Sequence, residues 1–256
     1  MRPAWFTDFY AKKIGRDSSI ADGLPLERMI AMMDEAGIER AMLVATKTGR
    51  LGLPGSWHLP YDTVAAAVRA FPDRFCALAG IDPTEGMKGV RELERAVKDL
   101  GFIGAHMYPH WFELAPDHAR WYPFYAKCVE LDVPVQVQVG QSLIYASDQP
   151  LRSVGRPIYL DTLARDFPKM KIIAAHPGWP WEQELIGVVT HKKNLFVDTS
   201  GYLAEQLPEL FQKAIGGRLQ PLMSHLIESG KLTHEDIKQA ERMLEEFSRK
   251  EKEKTR

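Results

Sequence analysis

A parallel α/β fold of the (β/α)8-barrel kind is predicted by three observations. Short apolar runs alternate with amphipathic helical patterns, the runs carry few alternating charges, and polar or aromatic residues crowd the segments after them. The strand candidates are 40–45, 75–81, 102–107, 133–139, 171–175 and 195–197. Their β-branched and apolar content suits strands buried on both faces.

Helices are predicted over 26–36, 61–70, 90–100, 122–131, 159–167, 181–189 and 204–215, from apolar residues three and four apart. Gly37 and Gly101 follow the first and third as C-terminal caps. After the strands come Asp82-Pro83, Tyr108-Pro109-His110-Trp111, Gly140-Gln141, His176-Pro177-Gly178-Trp179 and Asp198-Thr199-Ser200-Gly201. In a barrel those loops build the active site. No G-x-G-x-x-G or G-x-x-x-x-G-K-[ST] follows a strand, so the common nucleotide-binding sheets lose support.

With 256 residues, 45% of them hydrophobic, the chain can bury a sizeable core. The 33 Lys and Arg balance 34 Asp and Glu, so charge gives no argument for nucleic acid or an anionic membrane as partner. No apolar run approaches the ~20 residues of a membrane span. Met1-Arg2-Pro3-Ala4-Trp5 lacks the apolar stretch of a secretory leader, and a cytoplasmic protein is expected. Cys76 and Cys128 form no disulfide framework, lack metal-ligand spacing and read as buried, inert thiols.

Beyond residue 218 the character changes. Residues 231–256 hold fifteen charged side chains, eight basic and seven acidic. Thr233 suits an N-cap, and Ile237, Ala240, Met243, Leu244 and Phe247 form one apolar stripe. The expected organisation is a barrel-like domain over 1–218 and a charged helical tail over 219–256.

Six stretches stand in order from about residue 25 to 215. They are Met33-Asp34-Glu35-Ala36-Gly37-Ile38-Glu39-Arg40-Ala41, Phe71-Pro72-Asp73-Arg74-Phe75, 101–105 with Pro109, 122–140, 167–178 and 194–201. Together they resemble the amidohydrolase-related superfamily, in the branch of aminocarboxymuconate-semialdehyde decarboxylase, resorcylate decarboxylases and related lactonases. The resemblance implies a TIM-barrel-like, metal-dependent hydrolase fold. It also implies hydrolysis or non-oxidative decarboxylation of a small carboxylated or aromatic compound, with a divalent metal such as zinc. The departures are specific. The D-x-H-x-H of the first strand is missing, residues 1–20 hold no histidine, and the fifth-strand histidine aligns with Gln138. The eighth-strand aspartate segment is absent too, so the barrel reads as incomplete and no residue is assigned as a metal ligand.

His176, at the end of an apolar strand, is the candidate acid/base, since imidazole moves protons near pH 7. Asp198 is the second catalytic candidate. It could orient His176, bind a cationic group, or cap the next turn through Thr199 and Ser200. The resemblance places His106 where a basic residue often meets an anionic substrate group. Tyr108 follows it, and His110 and Trp111 are expected further out in the loop. Gln136 and Gln138 share one face of their strand, and Gln138 near the mouth could meet substrate oxygens. Trp179, with Trp181, is expected to wall the pocket. His106, His110 and His176 could hold zinc only if their loops converge.

His58, His118, His191, His225 and His234 read as surface or capping residues. Ser142 and Ser200 lack the G-x-S-x-G elbow of a serine hydrolase. The expected setting is a homodimer acting on a small molecule. The alternative is a non-catalytic, truncated barrel with a dimerising helical tail.

Overall fold

The computed structural model describes residues 23–49, 56–142 and 151–200. The helix expected over 204–215, the tail over 219–256 with its boundary, and His225 and His234 lie outside the described residues. Six strands form one parallel sheet in chain order: β1 (Ala41–Ala45), β2 (Phe75–Gly80), β3 (Gly104–Met107), β4 (Val135–Gln138), β5 (Ile172–Ala175) and β6 (Leu195–Val197). Parallel neighbours need long crossovers. Helices α1 (Leu26–Glu35), α2 (Tyr61–Ala70), α3 (Gly86–Lys98), α4 (Tyr122–Glu130), α5 (Tyr159–Asp166) and α6 (Glu182–His191) supply them or lead into the sheet.

The register sorts the strand residues onto two faces. Ala105 pairs with Val135, Val135 with Ile172, and Ile172 with Leu195. That face is fully apolar and forms one core with Val64, Leu93, Phe124, Leu160, Leu163 and Leu185 of the helices. The opposite face carries His106 beside Gln136, Gln136 beside Ile173, and Ile173 beside Phe196. In a barrel this second face is the interior, which explains why polar side chains interrupt otherwise apolar strands there. Among the described residues β1 pairs only with β2, and β6 only with β5.

Gly37 and Gly101 adopt left-handed φ of 68° and 74° just past α1 and α3, as C-terminal caps require. Trp121, Phe124 and Tyr125 are fully buried around α4, and the Tyr125 hydroxyl donates to Pro116 O at 2.7 Å. Burying a side chain of this size contributes roughly 1.5–3 kcal/mol.

Boundaries differ from expectation by a residue or more at most elements, and α3, β3 and β4 show why. Helix α3 starts at Gly86 rather than residue 90, because Asp82 caps the turn Pro83–Glu85 that feeds it, accepting from Thr84 N–H at 2.7 Å. Two glycines, Gly86 and Gly89, hide that start from apolar periodicity. Strand β3 begins at Gly104 rather than 102, and β4 spans 135–138 rather than 133–139. Val133 still belongs to the exit of α4, where its N–H donates to Cys128 O at 3.0 Å. The antiparallel ribbon of Lys47–Thr48 with Trp57–His58, and the helical turn Pro109–Phe112, are too short for periodicity to register. No helix of the described residues is long and apolar enough to cross a membrane.

Candidate active site

The polar residues of the inner face meet at the C-terminal ends of β3 to β6. His176 follows β5 directly and takes a left-handed φ of 70°, uncommon for a residue other than glycine. Asp198, just past β6, holds it there. The Asp198 N–H donates to Ala174 O at 3.0 Å, and Asp198 Oδ1 accepts the His176 N–H at 3.2 Å. The same oxygen accepts Ser200 N–H at 3.0 Å and, at close range, the Ser200 hydroxyl. Oδ2 accepts Gln136 Nε2–H at 2.7 Å. Asp198 thus accepts both from the turn at Ser200 and from the His176 backbone. Burial alone would raise this carboxyl, but the bonds from Ser200, His176 and Gln136 outweigh it and set it below the ordinary value.

This network fixes the His176 tautomer. Nδ1 lies 2.9 Å from Ser200 O, which can only accept, and 3.0 Å from Ser200 Oγ, whose hydrogen points to Asp198. Nδ1 therefore carries the proton, and Nε2 keeps its lone pair. The Gln138 amide nitrogen sits 3.3 Å from Nε2 and donates to it. Gln138 Oε1 is then left buried with no partner among the described residues.

His106 is 4% exposed, and its Nδ1 is also buried without a partner. Burial, then the nearby His176, pushes its pKa down to about 3, against the pull of Asp198. The ring is therefore a neutral hydrogen-bonding group and not a fixed cation. The Tyr108 ring packs on it with centroids 4.2 Å apart.

His110 corrects an expectation, being 1% exposed rather than further out in the loop. Pro109 opens a helical turn that folds it inward, where Nε2–H donates to Gly140 O at 2.7 Å. Its Nδ1 is left as a buried lone pair, and burial lowers its pKa. The segment 151–158 lies over this pair. Gly155 O accepts Gly140 N–H at 2.8 Å, and a Cβ at Gly155 would collide with His110 Nε2 and Gly140 O. Trp179 stands at the rim, 52% exposed, and its carbonyl accepts Gln141 N–H at 2.7 Å.

The structure thus gathers His106, Gln138, His176 and Asp198, sets the Tyr108 ring tilted against His106, and places His110 beneath segment 151–158. Sequence reasoning foresaw Ser200 as a turn partner of Asp198 but missed its bond to His176 and the part of Gln136. The Gln136–Asp198 bond spans 62 residues of chain, and only the shared face of Gln136 and Gln138 hinted at it. His118 caps a turn as expected, accepting Arg120 N–H at 3.2 Å. His58 donates to Gly49 O at 2.8 Å.

The described residues do not by themselves fit the divalent metal that the resemblance implies. Among the described residues no three His, Cys, Asp or Glu side chains converge on one point. Asp198 has both oxygens engaged, and a glutamine amide faces the one ring nitrogen of His176 that could coordinate.

A family profile described as Amidohydrolase matches residues 24–231. The chain belongs to the amidohydrolase family. Within that family it is 32% identical over 160 residues to the 2-keto-4-carboxy-3-hexenedioate hydratase of Sphingobium sp., a match covering 54% of this chain and 46% of that protein. It is 31% identical over 120 residues to the gamma-resorcylate decarboxylase of Polaromonas sp., covering 42% and 37%. The chain spans less than half the length of these curated relatives. Among solved structures it resembles an uncharacterized TIM-barrel protein from Bordetella bronchiseptica, with 27% identity and a TM-score of 0.54 over 68% of this chain and 58% of that one. The expected TIM-barrel-like α/β class is borne out.

Proposed function

We propose that this amidohydrolase acts on a small carboxylated or aromatic compound, by hydrolysis or non-oxidative decarboxylation, with His176 as acid/base. The observation that carries this reading is the His176 tautomer. Nδ1–H is tied to Ser200, so the Nε2 lone pair faces the polar inner side of the sheet. In hydrolysis Nε2 takes a proton from water as the oxygen attacks; in decarboxylation it first takes the proton of the substrate's carboxylic acid group and then delivers it to the carbon that carbon dioxide has left. Asp198 supports the imidazolium formed in between. Gln138, His106, Tyr108 and His110 would hold substrate oxygens, with Trp179 at the rim. The hydratase and decarboxylase relatives both act on carboxylated molecules by name, which supports the substrate class.

The test is a panel of hydroxybenzoates, unsaturated keto acids and lactones, read with wild type and His176→Asn. Asparagine tolerates the left-handed backbone at this position. Turnover is expected to fall by about 10²–10⁴ in the variant. A loss below about threefold removes His176 from the mechanism, the threshold being small against that expected effect.

The proposed setting is a cytoplasmic homodimer. Cys76 and Cys128 are both free thiols, which suits a reducing compartment. The strand edges of β1 and β6, unpaired among the described residues, favour pairing of copies.

A further inference from the structure

A metal bound at His176 would need the Nε2 lone pair, because Nδ1 holds its proton against Ser200 O and Oγ. That lone pair already receives the Gln138 amide, whose nitrogen lies 3.3 Å away. Asp198 is largely engaged as well. Its Oδ1 accepts from His176 N–H, Ser200 N–H and Ser200 Oγ–H, and Oδ2 accepts Gln136 Nε2–H, which leaves one lone-pair direction on Oδ2. The other groups near His176 are the neutral, buried imidazoles of His106 and His110, which could coordinate, and two amides; among the described residues they do not make up the three or four converging ligands that zinc takes. Amide nitrogens do not coordinate zinc, and an amide oxygen is a weak ligand beside imidazole or carboxylate.

We propose that the Gln138 amide occupies the coordination position beside His176 Nε2, so that this amidohydrolase keeps its working imidazole free of metal. Gln138 is a positioning residue. Its NH2 group meets the lone pair of neutral His176, and a half-turn of the amide would present Oε1 to the N–H of the imidazolium. Asp198 acts as a clamp on the backbone of the same histidine. The inference goes beyond the reaction proposed above. Its main readouts are metal content and a ring-nitrogen signal, so failure of the substrate panel would leave it standing.

The experiment uses the full chain, purified without chelator or tag and passed through gel filtration. Elemental analysis is expected to find below about 0.1 equivalent of zinc or manganese per chain. In ¹⁵N-histidine-labelled protein, one equivalent of ZnCl2 or MnCl2 is expected to leave the His176 Nε2 resonance in place. Gln138→His sets a second imidazole beside Nε2 and is expected to tighten zinc binding by at least about tenfold. Any turnover found on the panel is expected to change less than about twofold on adding EDTA, as for a reaction without a metal nucleophile. About one equivalent of metal in wild type, with a His176 resonance that moves on chelation, would overturn the proposal. So would a Gln138→His variant whose zinc affinity equals that of wild type.

Discussion

At the scale of single residues, the site is governed by which ring nitrogens hold protons. His106 and His110 are buried and neutral, with His106 pushed down to about 3. The unfolded chain takes up protons on these rings at the usual pKa near 6.5, while the folded chain refuses them. Their contribution to stability is therefore fully present above about pH 6.5 and declines as the pH falls from there, for His106 down towards about 3. Urea midpoints measured from pH 7 to 4 are expected to fall, and less steeply in His106→Gln, by up to about one bound proton. An unchanged slope would show His106 to be protonated in the folded protein. Ser200 gives a second test. Ser200→Ala keeps the carbonyl that accepts His176 Nδ1–H but loses the hydroxyl between the ring and Asp198. Turnover is expected to drop about three- to tenfold, whereas Asp198→Asn, which removes the charge behind the imidazolium, costs about a hundredfold or more. Equal effects would show that the serine hydroxyl is the whole of the link.

His176 and Gln138 were legible in the sequence because each sits at the end of a strand that its own apolar neighbours define. Asp198 was legible as a residue while its partners were not. The bonds that decide its role come from Gln136, 62 residues away, and from a backbone N–H that exists in position only because His176 turns left-handed. No local pattern encodes either. His110 failed for a related reason, since Pro109 marks a turn without saying which way the next side chain will point.

At the scale of elements, α3 separates the two kinds of helical position. Leu93 is fully buried on its inner stripe, and Met87 is 59% exposed near its start. Leu93→Ala is expected to cost about 2–5 kcal/mol in chemical denaturation, and Met87→Ala to stay within about 0.5 kcal/mol. A small loss at Leu93 would mean the helix does not seat on the sheet as described. Strand and helix positions were readable to within a few residues because periodicity integrates over a turn or more. The ribbon at 47–48 and 57–58 and the turn at 109–112 give it too little to integrate.

At the scale of the whole molecule, the order of strands in the sheet repeats the order in the chain, which is the wall of a barrel laid out from β1 to β6. The alternation of strand and helix made this architecture legible, because parallel neighbours force each connection through a helix. Closure was not legible, for it depends on what pairs with the outer edges of Ala41–Ala45 and Leu195–Val197. If copies of the chain pair through those edges, light scattering finds a dimer at all workable concentrations, and a monodisperse monomer would sink that assignment.

Gly155 sets a length in this molecule. Its missing Cβ lets one backbone settle directly on the ring of His110 and the carbonyl of Gly140. The covering segment and the end of β4 thus approach as closely as two peptide groups can. Position 155 works as a spacer of zero thickness. A relative bearing alanine or serine there must carry its covering segment farther from the strand, with a wider mouth and a wetter histidine. The size of one side chain at position 155 would then grade how closely the covering segment seats on the end of β4.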